Sequence, residues 1–401
     1  MSGYGDLLRT PGVARIISAQ LTARLPSGML SLAILIHIEG IFDSYGAAGL
    51  VLAATSVGQA IAGPLTSRWM GALGMRPVLI ATLVICATAL SLIALVVMPI
   101  WLYMIVGFLA GISTPPIQPA VRTIYPKMVT SRQLTPLFAL DASAQEIIWI
   151  MGPVLTVVLA TQVSSVVAIT VAAAFLVGGG IWFIACPEVG KVRIPRSRRR
   201  MGVVLRNRAV LLSTVTGFLL IGSAASIEVG VVAVFGDEGA EAGILFGLWA
   251  IASLIGGLSM GHLPIGPWAL ARRMGILCVG MAAAPFALEF WWLAFALIIA
   301  GIGIAPALAV MFAIVSSSVK FSETAEAYGW LGTGQLIGAA LGSAIAGFLI
   351  DAIGPIGGFY TAIGFAAAGV AIASVLHGWH PDLRGRDASP LADTEPVQQV
   401  S

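Results

Sequence analysis

Residues 187–208 read PEVGKVRIPRSRRRMGVVLRNR, and this polar stretch decides how the chain is organised. It holds eight of the 21 lysines and arginines in a chain of 401 residues, of which 58% are apolar and only 10% are charged. Average soluble proteins carry about 25% charged residues, whereas the mean hydropathy here is +0.99. A soluble globular protein is therefore excluded, and the basic stretch connects two apolar halves.

The apolar runs on both sides of this connection are long enough to cross a bilayer. A hydrocarbon core about 30 Å thick requires about 20 helical residues at a rise of 1.5 Å each. Six such runs precede the basic stretch and six follow it, at residues 13–37, 46–66, 76–97, 101–123, 137–160, 165–186, 209–235, 242–262, 270–288, 291–315, 327–350 and 356–379. We therefore expect an all-α integral membrane protein with 12 transmembrane helices in two pseudo-symmetric six-helix bundles.

The distribution of charge predicts the orientation of these helices. With the N-terminus inside, the inner segments hold 20 of the 21 basic residues, whereas the outer loops carry acidic residues such as Glu39, Asp43 and Asp351. Cytoplasmic loops are enriched in Lys and Arg, so we predict a multi-pass protein of the cell (cytoplasmic) membrane with both termini cytoplasmic. The predicted domains are a bundle at 1–186, a basic linker at 187–208, a second bundle at 209–380 and a disordered tail at 381–401.

Features of several other function classes are missing or misplaced. The three cysteines, Cys86, Cys186 and Cys278, lie far apart in apolar runs, which fits neither a disulfide framework nor a metal site. Residues 257–261 match the nucleophile pattern G-x-S-x-G, but they lie inside an apolar span rather than at a strand-to-helix turn. We expect no enzymatic activity, no cofactor, no metal and no nucleic-acid partner. The expected partners are a small-molecule substrate, protons and the lipid bilayer, and we expect a monomer.

The connection after the second span carries a recognisable motif. Residues 63–68 read GPLTSR, and residues 73–79 read LGMRPVL. This resembles the loop signature G-x-L-x-D-R-x-x-G-x-R of the major facilitator superfamily, with Ser67 in place of the aspartate and a short insertion at residues 69–72. The resemblance implies a secondary transporter that works by alternating access. It assigns roles in gating and conformational change to four residues of the motif, namely Gly63, Arg68, Gly74 and Arg76.

A second motif lies in the fifth span and bears on the direction of transport. Gly152-Pro153 matches the centre of G-x-x-x-G-P-x-x-G-G, which proton-coupled exporters of this superfamily often carry, although Ile148, Thr156 and Val157 replace the flanking glycines. The resemblance implies proton-coupled efflux of a moderately lipophilic compound or drug, with gating or conformational roles for Gly152 and Pro153. Two alternatives stay open: a proton-symporting or facilitative importer of a sugar, amino acid or organic acid, and a non-transporting membrane sensor or scaffold.

Arg24 is the only basic residue in the interior of a predicted span. A charge at that depth costs at least about 2.5 kcal/mol, so it should face a cavity or a partner. Gln20, Arg24, Ser27 and Ser31 follow helical spacing and share one face of the first span. We predict that this face lines the substrate cavity. The alternative is a structural arginine held inside the first bundle.

Two carboxylates are candidates for proton coupling together with Arg24. Glu146 lies in the fifth span, where it either carries a proton or forms a permanent salt bridge with Arg24. If the pair forms in only one conformation, proton binding is linked to the transport cycle. Glu228 lies in the outer half of the seventh span. It is a second protonation site, a ligand for a cationic substrate, or a side chain that reaches the outer surface.

The remaining candidates are large or polar side chains within spans. Those predicted to line the substrate cavity are Trp149, Trp249, Phe312 and Gln335. For the aromatic residues, the alternative is contact with lipid. Arg122 and Asp141 lie near the inner ends of adjacent spans and predict an ion pair at an inner gate. The alternative is an exposed interfacial pair worth about 0 to 1 kcal/mol.

Overall fold

The computed structural model describes residues 4–195, 200–235, 240–386 and 388–393, and its long elements are all helices. The helices before the linker are α1 (Tyr4–Arg9), α2 (Val13–Arg24), α3 (Pro26–Phe42), α4 (Tyr45–Leu73), α5 (Met75–Leu95), α6 (Ile100–Ile112), α7 (Ile117–Ile124), α8 (Ser131–Gln162) and α9 (Ser165–Ala185). Those from the linker onward are α10 (Pro187–Lys191), α11 (Arg208–Phe235), α12 (Ala240–Met260), α13 (Ala269–Ala283), α14 (Phe290–Ser318), α15 (Phe321–Ile353) and α16 (Ile356–Val375).

Twelve helical segments in the described ranges are long and apolar enough to cross a membrane, as the sequence predicted. Nine are single helices, and the ninth span continues from α13 through a 3-10 turn to Phe286. The first span joins α2 to α3 over Val13–Phe42, and the fourth joins α6 to the short helix α7 over Ile100–Lys127. Six spans precede the linker and six follow it. We call α1–α9 the first half and α11–α16 the second half.

Several spans extend beyond the apolar runs that predicted them. The fifth begins at Ser131 rather than at 137, because Thr130 and Gln133 form a capping box that starts α8 before its apolar stretch. The Ser44 hydroxyl accepts from the backbone N–H of Ala47 and starts α4 in a similar way. Gly74, at φ 94°, ends α4 in a conformation that favours glycine.

Prolines break two of the spans. Pro26 is the first residue of α3, and Leu25 separates it from α2, which ends at Arg24. Pro115 and Pro116 separate α6 from α7, because successive prolines remove backbone donors and push the preceding residues out of the helical region. Not every proline ends a helix, because α14 continues through Pro306.

The alternation of twelve spans places both ends of the described chain on one face. That face also carries the connections after the second, fourth, sixth, eighth and tenth spans, which hold most of the basic residues, and we call it the basic face. The opposite face carries Glu39, Asp43, Glu289 and Asp351, and we call it the acidic face. Both names refer only to charge.

The buried apolar residues show where the two halves meet. One large cluster joins both halves and includes Phe138 of α8, Phe312 of α14 and Tyr328 of α15. A second cluster belongs to the first half alone and includes Ile34 and Tyr103. Phe138 contacts Phe312 and Tyr328 with ring centroids 6.4 Å apart in each pair. The halves therefore share a continuous core on the side of the basic face.

The C-terminal segment differs in part from the disordered tail predicted over 381–401. The Leu383 N–H donates to Ile265 O at 2.9 Å, and the Leu391 N–H donates to Val319 O at 2.9 Å. The Asp393 carboxylate accepts from the backbone and hydroxyl of Ser322 at 3.1 and 2.6 Å. These hydrogen bonds hold the segment against the connection from α12 to α13 and against the start of α15. Residues 387 and 394–401 lie outside the described residues.

Candidate functional site

A buried ionic network occupies the first half, with Asp141 at its centre. The Asp141 side chain on α8 is fully buried. It accepts hydrogen bonds from Arg122 Nε at 2.9 Å, Tyr125 Oη at 3.1 Å and Gln20 Nε2 at 3.0 Å. The predicted ion pair between Arg122 and Asp141 is therefore present and buried, not exposed at the interface.

Arg24 joins this network where α2 ends. Its Nη1 donates to Gln20 Oε1 at 2.7 Å and lies 3.8 Å from Asp141 Oδ1, while Nη2 donates to Gln145 Oε1 at 2.6 Å. Its side chain is 12% exposed. Two arginines thus share one carboxylate, and the group carries a net charge of about +1 when all three are ionised. Burying an incompletely neutralised charge is costly, so hydrogen bonds from glutamines have to compensate.

Arg122 connects the network to the second half. Its guanidinium carbon lies 3.4 Å from the centroid of the Phe312 ring on α14, which is a cation–π contact. With its amide oriented to suit the network, Gln118 accepts from Arg122 Nη1 and Nη2 at 2.7 and 2.8 Å. A change in how the halves pack at Phe312 would therefore alter the surroundings of Arg122 and of its ion-pair partner Asp141.

A second contact between the halves is polar and involves Glu146, the residue that follows Gln145 on α8. The Ser253 hydroxyl of α12 donates to Glu146 Oε1 at 2.8 Å and accepts from the backbone N–H of Ala305 at 3.2 Å. Glu228 of α11 is close enough to Glu146 for the two carboxyl groups to interact electrostatically, and its own side chain is exposed. Glu146 does not form the salt bridge with Arg24 that the sequence left open, because Arg24 binds Gln20 and Gln145.

The basic face is closed by contacts between α4 and α15. Arg68 Nη1 lies 3.1 Å from Glu326 Oε2, and the backbone N–H of Gly202 in the linker donates to the other oxygen of Glu326 at 2.8 Å. One turn deeper, a Cβ added to Gly329 would lie 2.5 Å from Gly63 O, so the two backbones are in direct contact. The glycines leave no room for side chains between these helices.

The other predicted gating residues pack inside the first half. Arg76 donates to the carbonyls of Ile184 and Cys186 at 3.1 and 3.4 Å, where it satisfies the end of α9. A Cβ on Gly152 would lie 2.5 Å from the carbonyl carbon of Gly28, so α8 and α3 touch through their backbones. Pro153 follows within a continuous α8. Gly74 forms the turn described above.

The predicted cavity residues divide into exposed and buried groups. Ser27, Ser31 and Trp149 are exposed, and Gln335 is partly buried with no described hydrogen-bond partner for its Nε2 atom. Three of the others are buried in this conformation. Gln20 and Phe312 are fully buried, and Trp249 is 6% exposed against Gly301. Gln20 is held by the ionic network, while Phe312 lies under Arg122.

Several partners were not found from the sequence. Gln118, Arg122 and Tyr125 follow helical spacing before the fifth span, and Asp141 and Gln145 follow it within α8. Those two polar stripes were the available signal for the network. Ser253 and Glu326 gave no comparable signal in the sequence, because the role of each depends on its contact with a helix of the other half.

The arrangement defines one conformation of a molecule with two halves. The polar and aromatic contacts described between the halves lie toward the basic face, with Glu146 and Ser253 the deepest of them. Glu228, Ser27 and Ser31 remain accessible. Such a structure can expose a site to one side of the membrane while it is closed toward the other, which is how alternating access works around a site between two repeats.

Comparison with known proteins agrees with this architecture. The sequence model of the Major Facilitator Superfamily matches residues 16–288. No curated protein matches the sequence significantly. The structure is similar to the human organic anion transporter MFSD10 (TETRAN), with a TM-score of 0.70 and 17% identity over 90% of this chain and 100% of that one.

Two further similar structures are bacterial. The first is a bacterial homologue of the iron transporter ferroportin in an outward-facing state with soaked iron, at a TM-score of 0.72 and 13% identity over 92% of this chain and 98% of that one. The second is the E. coli fucose:proton symporter FucP, at a TM-score of 0.70 and 15% identity over the same shares. At these identities the likeness shows the fold.

The family match covers more than half of the chain, and this chain belongs to the major facilitator superfamily. It is a multi-pass membrane transporter and not an enzyme.

Proposed function

We propose that this protein is a secondary active transporter of the cytoplasmic membrane that exports a small, moderately lipophilic compound in exchange for protons. The observation that carries the proposal is the hydrogen bond from Ser253 to Glu146. It joins a carboxylate of the first half to a hydroxyl of the second half. Because any rocking of the halves changes the surroundings of this carboxylate, its proton affinity differs between the two conformations, and proton binding is coupled to the change.

Glu228 supports the same coupling. It is exposed on α11 and interacts electrostatically with Glu146, so a proton arriving from the acidic face has an accessible first acceptor. We propose that the acidic face is external, because the basic face carries most of the Lys and Arg. Both termini are then cytoplasmic, and the structure represents a state closed toward the cytoplasm.

The proposed direction rests on Gly152-Pro153 in the fifth span. Gly152 packs backbone to backbone against Gly28 of the first span and lies six residues after Glu146 on the same helix. A close contact of this kind lets α3 and α8 shift together without side chains in the way. This is the position of the exporter motif that the sequence resembles in part.

One observation favours a second candidate function, the uptake of an organic acid. Arg24 and Arg122 are buried with a single carboxylate, Asp141. One further anion would therefore bring the net charge of the group to zero. A substrate carboxylate that reached Arg24 would complete the neutralisation. The human MFSD10 structure described above is that of an organic anion transporter, and the superfamily resemblance therefore accommodates this alternative.

Proton flux in proteoliposomes tests the proposal. Purified protein is reconstituted with an internal pH-sensitive dye, a gradient is imposed, and lipophilic cations, sugars, amino acids and organic acids are added in turn. We expect a pH change that depends on a lipophilic substrate, with proton and substrate moving in opposite directions. Movement in the same direction with an organic acid would instead establish the importer.

Matched variants identify the coupling residue. Glu146→Gln keeps an oxygen that accepts from Ser253 but does not titrate, so we expect folded protein without substrate-dependent proton flux. Glu289→Gln is the control, because Glu289 is an exposed carboxylate on the acidic face. Unchanged flux in Glu146→Gln would remove this residue from the mechanism.

A further inference from the structure

A cavity of about 750 Å³ opens at the basic face of the second half. It lies between the connection from α12 to α13, the first two turns of α13 and the end of α16. Its lining includes Trp268, Arg272, Arg273, Ile276 and His377. None of these residues has a part in the transport mechanism proposed above.

The charges around this cavity are unequally compensated. Arg384 at its edge forms a two-point ion pair with Asp382, and that guanidinium group holds the pKa of Asp382 at about 2, so the pair stays neutral overall. Arg272 is exposed, and no described carboxylate pairs with it. Arg273 is 5% exposed and donates only to the carbonyls of Pro306 and Met260 among its described partners. The cavity therefore carries about two positive charges.

The cavity has an apolar part of its lining beside the two arginines. The positions from Trp268 to Ile276 rise by about 12 Å along α13, at 1.5 Å per residue. Trp268 stacks on His377 at the mouth, with ring centroids 4.3 Å apart, while the apolar part of the lining is formed by Met260, Leu263, Pro264 and Ile276. An aromatic residue at the mouth is typical of the boundary between lipid headgroups and acyl chains.

We propose that this cavity binds the headgroup of an anionic phospholipid. The phosphate would lie at Arg272 and Arg273, and the glycerol and upper acyl chain would lie against the apolar lining. Basic pockets between transmembrane helices at a membrane surface bind anionic headgroups in this way. A free phosphate ester shares the charge but has no acyl chain for the apolar part, and the experiment below separates the two.

Native mass spectrometry of the delipidated full-length chain in detergent tests the assignment. Phosphatidylglycerol, phosphatidylcholine and glycerol phosphate are titrated separately, and the affinity of the first bound molecule is compared. We expect phosphatidylglycerol to bind at least about five-fold more tightly than phosphatidylcholine, since one arginine near the surface contributes about that factor. Equal affinity for the two lipids would overturn the proposal, as would displacement of phosphatidylglycerol by glycerol phosphate at similar concentration.

Three variants connect that preference to the cavity. Arg272→Gln should weaken phosphatidylglycerol binding about five-fold, and Arg272→Lys should largely restore it. Arg132→Gln is the control, because Arg132 is an exposed arginine of the same face in the first half. Arg272 is exposed, so unfolding temperatures should stay equal among the variants. Unchanged lipid binding in Arg272→Gln would show that the lipid lies elsewhere.

Discussion

Arg24 uses two separate nitrogen atoms of its guanidinium group, one for Gln20 and one for Gln145. A lysine keeps the charge but places it at a single point, and it loses the planar fork that reaches both amides. We expect Arg24→Lys to lower the initial rate of substrate-dependent proton flux by about ten-fold, which corresponds to one charge-assisted hydrogen bond. Arg15→Lys, on the same helix and paired with Glu188, is the control and should keep the rate. Full activity in Arg24→Lys would argue that the fork is dispensable.

Asp141 is the only described carboxylate within 4 Å of Arg24 and of Arg122. Asp141→Asn removes its charge and leaves two buried cations together, so we expect a loss of about 3–5 kcal/mol in stability. Thermal unfolding in detergent measures this as a lower transition temperature. Asp351→Asn, an exposed carboxylate at the acidic face, serves as the reference and should unfold with the wild type. If Asp141→Asn and Asp351→Asn unfolded at the same temperature, the network would not stabilise the fold.

The sequence could locate the charged residues of the site but not their partners. Arg24 was found because an arginine deep in an apolar run is rare, and the Arg122–Asp141 pair because both residues lie at the inner ends of adjacent spans. Glu146 was found for the same reason as Arg24, yet its contact with Ser253 depends on which face of α12 meets α8. Pairings between helices distant in sequence depend on tertiary packing, which periodicity does not contain.

Among the elements, α4 and α15 bring their backbones into direct contact across the two halves, at Gly63 and Gly329. Gly329→Ala would place a methyl group 2.5 Å from Gly63 O and force the helices apart. We expect this to destabilise the conformation closed at the basic face. Thiol labelling of Ser67→Cys should then increase several-fold in a background without Cys86, Cys186 and Cys278, because Ser67 is buried at 1% exposure.

Gly332→Ala is the matched control for that experiment. It adds the same methyl group one turn along α15, where no atom lies within 4 Å of the added Cβ. Labelling of Ser67→Cys should not change in this variant. Equal labelling in both variants would mean that the glycine contact does not hold the basic face closed.

Helix positions followed from the sequence better than helix ends and breaks. Apolar runs located all twelve spans, because a bilayer of fixed thickness demands a minimum length. The ends of α8 and α4 were missed because polar caps and glycine turns set them, at Thr130 and Gly74. The contacts of Leu391 and Asp393 with the start of α15 were missed because a short polar tail has no periodic pattern.

At the scale of the whole molecule, the two halves meet at a shared contact surface. The basic face joins them through the ion pair of Arg68 and Glu326, the glycine contact and the aromatic cluster at Phe312. The ionic network around Asp141 lies in the first half and touches that surface through Arg122. A transport cycle requires this surface to open, so a bond fixed across it should stop transport without disturbing either half.

Cross-linking across the basic face tests that requirement. In a background without native cysteines, Arg68→Cys and Glu326→Cys are joined by a reducible bifunctional thiol reagent about 10 Å long, which matches two long side chains replaced by short ones. We expect substrate-dependent proton flux to fall to the background level and to return on reduction. The control is Arg15→Cys with Glu188→Cys, an ion pair on the same face that joins α2 to α10 of the linker and does not cross to the second half, so cross-linking should leave the flux intact. Undiminished flux in the cross-linked Arg68 and Glu326 pair would mean that transport does not require the halves to separate there, and alternating access by opening of the basic face would be wrong.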